Sequence, residues 1–343
     1  MAIQWYPGHM HKAQKAIKEV LPQVDLLIEV LDARIPYSSE NPAIARLRGD
    51  KPCIKVLSKT DLADPEMTAV WQAYLEQERG VKTFATTTQE PGRIRLLVDL
   101  CRKMMPEKDA GAKNINAIIV GIPNVGKSTL INTLAGRVVA KTGNEPAVTK
   151  DQQRIKLGSG VTLLDTPGIL WPKIENPDSS YRLAATGAIK NTAMEYDDVS
   201  FFLAEYLIKA YPELIIAHFQ LERMPSSELD FLEMAGARRG ALQTGGRINL
   251  HKICEVLINE FRSGKLGRIT LESPELVERE KEAIAIAKEK KEAENAERKK
   301  RFKDGSRNSD RADRKEQKNL PRPPRQPGIA KPGSARKSTD KKK

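Results

Sequence analysis

The stretch Gly121-Ile-Pro-Asn-Val-Gly-Lys127-Ser128-Thr129 decides the fold. It fits G-x-x-x-x-G-K-[ST] at every fixed position. The run Ala117-Ile-Ile-Val120 before it has strand character. Thr129 to Ala135 after it reads as a helix stopped by Gly136. Glycines let successive backbone N–H groups turn inward around phosphate oxygens, and the helix N-terminus adds partial positive charge. Asn124, Val125, Gly126, Lys127, Ser128 and Thr129 are therefore expected to line a nucleotide's phosphates. Lys127 reaches the outer phosphates and Ser128 holds Mg²⁺ through its hydroxyl.

Outward from this stretch the chain alternates strand and helix. Strands are predicted at 24–31, 52–57 and 81–85, with helices at 8–21, 41–47, 65–78 and 94–105 and a polar linker at 107–114. That alternation predicts an α/β fold, a doubly wound parallel sheet. After the phosphate loop come a polar, turn-rich segment at 143–150 and a hairpin, 153–157 with 161–164. Residues 169–183, with Pro172 and Pro177, read as a mobile connection. From about 181 to 271 the pattern is helical. A charged helix is expected from Pro274 to about Lys300, and disorder beyond it.

Further motifs fall at strand ends, where open α/β sheets bind ligands. Asp165-Thr-Pro-Gly168 supplies a carboxylate for Mg²⁺ and a Gly168 N–H for a terminal phosphate. Thr149 is expected to complete the Mg²⁺ coordination as a switch threonine. Ser58-Lys59-Thr60-Asp61 resembles the guanine-reading [NT]-K-x-D, and Thr86-Thr87-Thr88 occupies the place of a third base-side loop. Asp61 would accept hydrogen bonds from guanine N1–H and the N2 amine, a donor pair adenine lacks, so ATP should be rejected. The base-reading motifs precede the phosphate loop, whereas in an ordinary GTPase they follow it. The order implies a circularly permuted P-loop GTPase domain.

The chain resembles the circularly permuted ribosome biogenesis GTPase A family over about residues 1–275. The likeness rests on the opening Trp5-Tyr-Pro-Gly-His-Met10, on Asp32-Ala-Arg34-Ile-Pro36, on the permuted motifs and on the helical C-terminal part. It implies GTP hydrolysis to GDP and phosphate in large-subunit ribosome assembly, with binding to precursor particles and ribosomal RNA in the GTP state and release on hydrolysis. A GTPase acting on another RNA or protein is the first alternative, and an RNA-binding scaffold using GTP as a structural ligand is the second. One departure is Ser58, where the motif ordinarily has Asn, so weaker nucleotide affinity is expected. Ile169, Leu170 and Trp171 follow Gly168, and none can orient a water. The resemblance points to His9 as the catalytic substitute; Lys127, from the phosphate-loop motif, is the second expected catalytic residue. It also points to Asn124 as a ligand for K⁺.

Composition agrees. The 343 residues carry a net charge of +13. Residues 298–343 hold 18 Lys and Arg against 5 Asp and Glu, so the tail carries the whole excess. A basic tail of this kind suits salt-sensitive phosphate contacts. No run approaches the roughly 18 apolar residues of a membrane span. The three cysteines are scattered, which fits a reducing cytoplasm. The expected division is a GTPase domain at 1–175, a helical RNA- or ribosome-binding domain at 181–275, and a charged helix with a disordered basic tail at 276–343, in a monomer.

Overall fold

Leu26–Asp32 (β1), Cys53–Ser58 (β2), Val81–Ala85 (β3), Ile115–Gly121 (β4), Gln153–Leu157 (β5) and Val161–Asp165 (β6) form one sheet in the order β3-β2-β1-β4-β6-β5. It is a computed structural model and describes residues 3, 5–110, 113–140, 153–157, 160–243 and 245–319. Five strands run parallel, and β5 pairs antiparallel with β6 as the expected hairpin. β1 and β2 are buried along their whole length. That follows from parallel strands covered on both faces, whose sequences run apolar without alternation. Met10, Ala13 and Ile17 from helix Gly8–Val20, Ile94 and Leu97 from helix Pro91–Met104, and Leu130 and Ile131 from helix Lys127–Ala135 pack into the strand core. Trp71 and Leu75 of helix Pro65–Leu75 close a second cluster with Leu31 and Leu57.

The helix starts obey the capping rules. Asn41 accepts the Ala43 N–H, and Asp64 accepts the N–H groups of Glu66 and Met67. Each is followed by Pro, which loses no bond at the first helical position. The same device corrects one expectation. Residues 169–183 are not a mobile connection throughout: Pro177–Ala185 is a helix capped by Asn176. Pro177 starts this helix rather than breaking a segment, and Arg182, Leu183 and Ala184 are buried on it. A short helix, Pro106–Ala110, also stands where a plain linker is expected.

Beyond the sheet, helices Tyr196–Ala210, Glu228–Arg238 and Leu250–Ser263 pack through Val199, Leu203, Phe231, Leu232, Ile253 and Leu257. Residues Met1–Ile284 make one compact unit that holds both the sheet and this helical region. Ala285–Lys343 make a second. The last described helix runs from Pro274 to Asn319, past the expected end near Lys300. Its Glu, Lys, Arg and Ala residues are strong helix formers that need no apolar face to keep local order. Residues 320–343 of the expected disordered tail lie outside the described residues. Among the described residues no helix is long and apolar enough to cross a membrane.

Two titratable residues face each other in the middle of the sheet. Glu29 on β1 is buried opposite Lys55 on β2 and accepts the Asn41 N–H at 3.1 Å. Burial, with Glu40 adding to it, pushes the Glu29 carboxyl up to about 8, against the pull of Lys55, the Asn41 N–H and Arg48. The folded protein therefore holds this proton more tightly than the unfolded chain. The contribution is fully present below the ordinary carboxyl range and is lost as pH rises toward 8, by up to about 1.4 kcal/mol per pH unit. Urea midpoints at several pH values between 6 and 9 should fall with rising pH. In Glu29→Gln the one-proton part of that slope should disappear. An unchanged slope in the variant would place the proton elsewhere.

Candidate nucleotide site

The permuted motifs meet at the C-terminal edge of the sheet. Asp32 at the end of β1 lies opposite Ser58 at the end of β2, Leu57 lies opposite Ala85, Val30 opposite Gly121, and Ile119 opposite Asp165. The base-side loops after β2 and β3 therefore flank the phosphate loop after β4 on one side. Asp165-Thr-Pro-Gly168, after β6, flanks it on the other.

The phosphate loop is shaped by close backbone approaches. Asn124 (φ +57°) and Gly126 (φ +97°) are left-handed. A Cβ on Gly121 would come within 2.8 Å of the Val30 carbonyl oxygen, so only glycine fits. A Cβ on Gly168 would lie 3.0 Å from Pro123 Cα, and Ile169 N–H donates to the Gly121 carbonyl at 3.1 Å. The loop and the Asp165–Gly168 segment thus rest directly on one another. Lys127 Nζ donates to Asp165 Oδ1 at 2.5 Å, with both residues buried. Burial pushes the Lys127 ammonium down, and the Asp165 charge only partly restores it. Asp165 Oδ2 is buried with no hydrogen-bond partner among the described residues. Ser128 and Thr129 follow on the first turn of helix Lys127–Ala135. Thr149 lies outside the described residues.

On the base side, Ser58 Oγ lies 2.6 Å from the Val125 carbonyl oxygen and 2.8 Å from that of Leu31. Its one proton serves one of them at a time. The serine therefore braces the phosphate loop. Lys59 is left-handed (φ +58°), and its ammonium lies 2.9 Å from Asp32 Oδ2. Burial pushes that ammonium down against the pull of Asp32. Asp61 Oδ2 accepts from Gln89 Nε2 at 3.2 Å, and Thr60 N–H donates to the Thr86 carbonyl at 3.4 Å. Thr86 is buried with its hydroxyl unpartnered among the described residues. Thr87 Oγ1 accepts the Gln89 N–H at 3.2 Å. A cavity of about 280 Å³ opens beside Asp61, between Thr87, Gln72 and Arg268.

Contacts that reading along the chain did not foresee lead away from this edge. Asn124 Nδ2 donates to the Gly187 carbonyl at 2.9 Å. Arg262, from helix Leu250–Ser263, donates to the carbonyls of Ala184 and Ala185 at 2.7 and 2.8 Å, at the end of helix Pro177–Ala185. Asn41 Nδ2 donates to the Ile169 carbonyl at 3.3 Å. The N-terminal segment lies over the same region: Leu170 N–H points at Met10 Sδ at 3.5 Å, and Ile3 N–H donates to Ser180 Oγ at 3.2 Å. His9 and His11 flank buried Met10 and are exposed.

Known proteins match this arrangement. A model of the family described as "50S ribosome-binding GTPase" matches residues 116–221, which begin at the phosphate-loop strand. Ribosome biogenesis GTPase A of Bacillus pumilus is 42% identical over 282 residues, covering 80% of this chain and 100% of the relative. The chain belongs to the ribosome biogenesis GTPase A family. The relative of that name in Thermotoga maritima is 32% identical over 273 residues, covering 80% of this chain and 95% of its own. A GDP-bound YlqF structure aligns with a TM-score of 0.55 at 29% identity, covering 76% of this chain and 99% of that one. GNP-bound YlqF from T. maritima aligns with a TM-score of 0.54 at 30% identity, covering 77% and 99%. The protein is thus a circularly permuted GTPase of ribosome assembly, which binds GTP and GDP and hydrolyses GTP. GTPase domains of this kind generally work with Mg²⁺.

Proposed function

We propose that this GTPase matures the large ribosomal subunit, binding precursor particles and their RNA in the GTP state and leaving on hydrolysis. The observation that carries this reading is the contact between phosphate loop and helical region. The segment that would meet a terminal phosphate, Asp165–Gly168, rests on the phosphate loop and leads through residues 169–176 into helix Pro177–Ala185. The end of that helix is held by Arg262 and lies beside Gly187, which Asn124 contacts. A γ-phosphate that ordered 165–168 would reset these contacts, as γ-phosphate-dependent segments do in other GTPases. We assign residues 1–175 to GTP handling, 181–275 to the ribosome or its RNA, and 276–343 to a charged extension adding phosphate contacts, in a monomer working in the cytoplasm.

Within the site, Asp61 reads the guanine edge and Lys59 packs its stem over the base. Ser58, Thr60, Thr86 and Thr87 shape the base pocket. Val125, Gly126, Lys127, Thr129 and Gly168 face the phosphates. Ser128 and Asp165 would hold Mg²⁺, with Thr149 completing the set. Asp165 Oδ2, buried and without a partner among the described residues, suits a cation. Such an ion neutralises charge on the phosphate oxygens. Lys127 must then pass from Asp165 to the phosphates. Asn124 is assigned to K⁺, which would add positive charge near the transferring group. Faster turnover in K⁺ than in Na⁺ buffer is the corresponding test.

For the attacking water, buried Ile169 and Leu170 offer no polar group. His9 precedes Met10, which touches Leu170, so its helix start is anchored beside the segment after Gly168. An imidazole there can orient the water and take its proton. His9→Ala should leave GTP binding intact and lower particle-stimulated turnover by about a hundredfold, in the range of a lost general base. Unchanged stimulated turnover removes His9 from the mechanism. For the partner, sedimentation with a non-hydrolysable GTP analogue is the test. Comigration with large-subunit particles supports the reading, and comigration with another RNA or protein points to the alternative GTPase role.

A further inference from the structure

The Asp32-Ala-Arg34-Ile-Pro36 segment sits behind the base-reading loop. Asp32 is buried, and four donors converge on its carboxylate. Oδ1 accepts from Arg34 N–H at 3.1 Å and Arg34 Nε at 2.9 Å, and Oδ2 from Arg34 Nη2 at 2.8 Å and Lys59 Nζ at 2.9 Å. Burial alone would push this carboxyl up, but Arg34 and Lys59 hold it well below the usual range, so it stays ionised. The Arg34 guanidinium is itself buried, 5.1 Å from the centre of the Phe261 ring on helix Leu250–Ser263. The end of that helix closes on the same loop. A Cβ on Gly264 would fall 2.6 Å from Leu62 Cδ2. Ile269 N–H donates to the Leu62 carbonyl at 3.0 Å, and Leu271 N–H donates to the Arg34 carbonyl at 2.8 Å.

Lys59 is one of three described non-glycine residues at positive φ, a conformation that costs about 1 kcal/mol or more. Such a residue persists where its surroundings over-determine it, and these positions gather at functional sites. Here the restraint is Asp32, and a side chain is needed at 59 because its stem lies against the base. We propose that Asp32 and Arg34 are positioning residues for guanine recognition, which hold Lys59 in place and tie the base-reading loop to Phe261 in the helical region. The inference rests on the reading that Lys59 packs over the base. It gives the helical region a second connection to the nucleotide, at the base end, apart from the one through Gly168. Because GTP and GDP share the base, this connection changes affinity for both alike, whereas the Gly168 side distinguishes them.

The test is fluorescent GDP and GTP-analogue binding to the full chain in four forms: unaltered, Lys59→Met, Asp32→Asn and the double variant. Asp32→Asn should weaken both nucleotides by about tenfold or more and by the same factor. Its effect on turnover should fall on KM rather than kcat. The double variant should bind no worse than Lys59→Met alone, because Asp32 acts through that side chain. A Kd for Asp32→Asn within about two-fold of the unaltered protein, or losses that simply add in the double variant, overturns the inference. If Lys59→Met alone binds normally, the base-site reading falls and the inference falls with it. If Lys59→Met weakens binding and Asp32→Asn does not, only the inference falls. Phe261→Leu keeps Asp32 and Lys59 and covers the case in which Asp32→Asn fails to fold. It should weaken GDP and GTP analogue equally, and normal binding there overturns the tie to the helical region.

Discussion

Replacing Asp61 with Asn is expected to cut GTP affinity by about a thousandfold and to make xanthosine triphosphate the better substrate. A carboxylate offers two acceptors, and guanine presents two donors, N1–H and the N2 amine. An amide keeps one acceptor and turns the other into a donor, which faces the N2 amine and leaves both groups unpaired. Xanthine carries a carbonyl at C2 in place of the amine, and that carbonyl accepts the new N–H. The loop that carries the carboxylate is held by its own backbone. Leu62 N–H closes a turn on the Lys59 carbonyl at 2.9 Å, and Thr60 is bonded to the Thr86 backbone. Gln89 donates to Asp61 and would have to give way to a guanine bound there. Single-turnover hydrolysis of both triphosphates by the variant gives the ratio directly. GTP turnover that stays normal would place guanine reading at another residue.

The second large effect belongs to Lys127. Lys127→Met keeps the aliphatic stem and removes the ammonium. Turnover should fall by about a thousandfold, roughly 4 kcal/mol of transition-state stabilisation, since charge builds on the phosphate oxygens the lysine would face. Two losses combine. The phosphates would lose a buried cation, and Asp165, whose Oδ2 has no partner among the described residues, would lose the only ion pair it makes among them. The Lys127–Asp165 pair also sets an order of events. The ammonium is committed to the carboxylate, so a nucleotide bound here would have to draw it away, and a cation at Asp165 would offset the cost of that exchange. Labelled-GTP hydrolysis under single-turnover conditions measures the effect. A loss smaller than about tenfold would show that Lys127 does not face the reacting phosphate.

The phosphate loop, the strand–helix alternation, the β5–β6 hairpin and the permuted order of motifs were legible in the chain because their signals are local. Apolar runs, glycine positions and caps at Asn41 and Gly136 act within a few residues of themselves. The helix Pro177–Ala185 is not legible in the chain because a proline at a first helical turn reads the same as a proline in a loop unless Asn176 is read as its cap. The wiring of the site is hidden from the sequence for another reason. Asn124 with Gly187, Arg34 with Phe261, and Leu62 with Ile269 are pairs that spacing cannot reveal, since each is made by packing between distant elements. Asp32-Ala-Arg34-Ile-Pro36 stood out in the sequence only as a resemblance. Its chemistry, a carboxylate held between two cations, appears once the fold brings Lys59 alongside it. Gln89 over Asp61 has no sequence signature at all.

The most direct test is a crystal structure with a non-hydrolysable GTP analogue and Mg²⁺. The guanine edge should meet Asp61, Lys59 should lie over the base, and the terminal phosphate should sit between Lys127 and Gly168, with Lys127 no longer on Asp165. A nucleotide bound with its base away from residues 58–61, or a phosphate that leaves Lys127 on Asp165, would contradict a single GTP site assembled from the permuted loops.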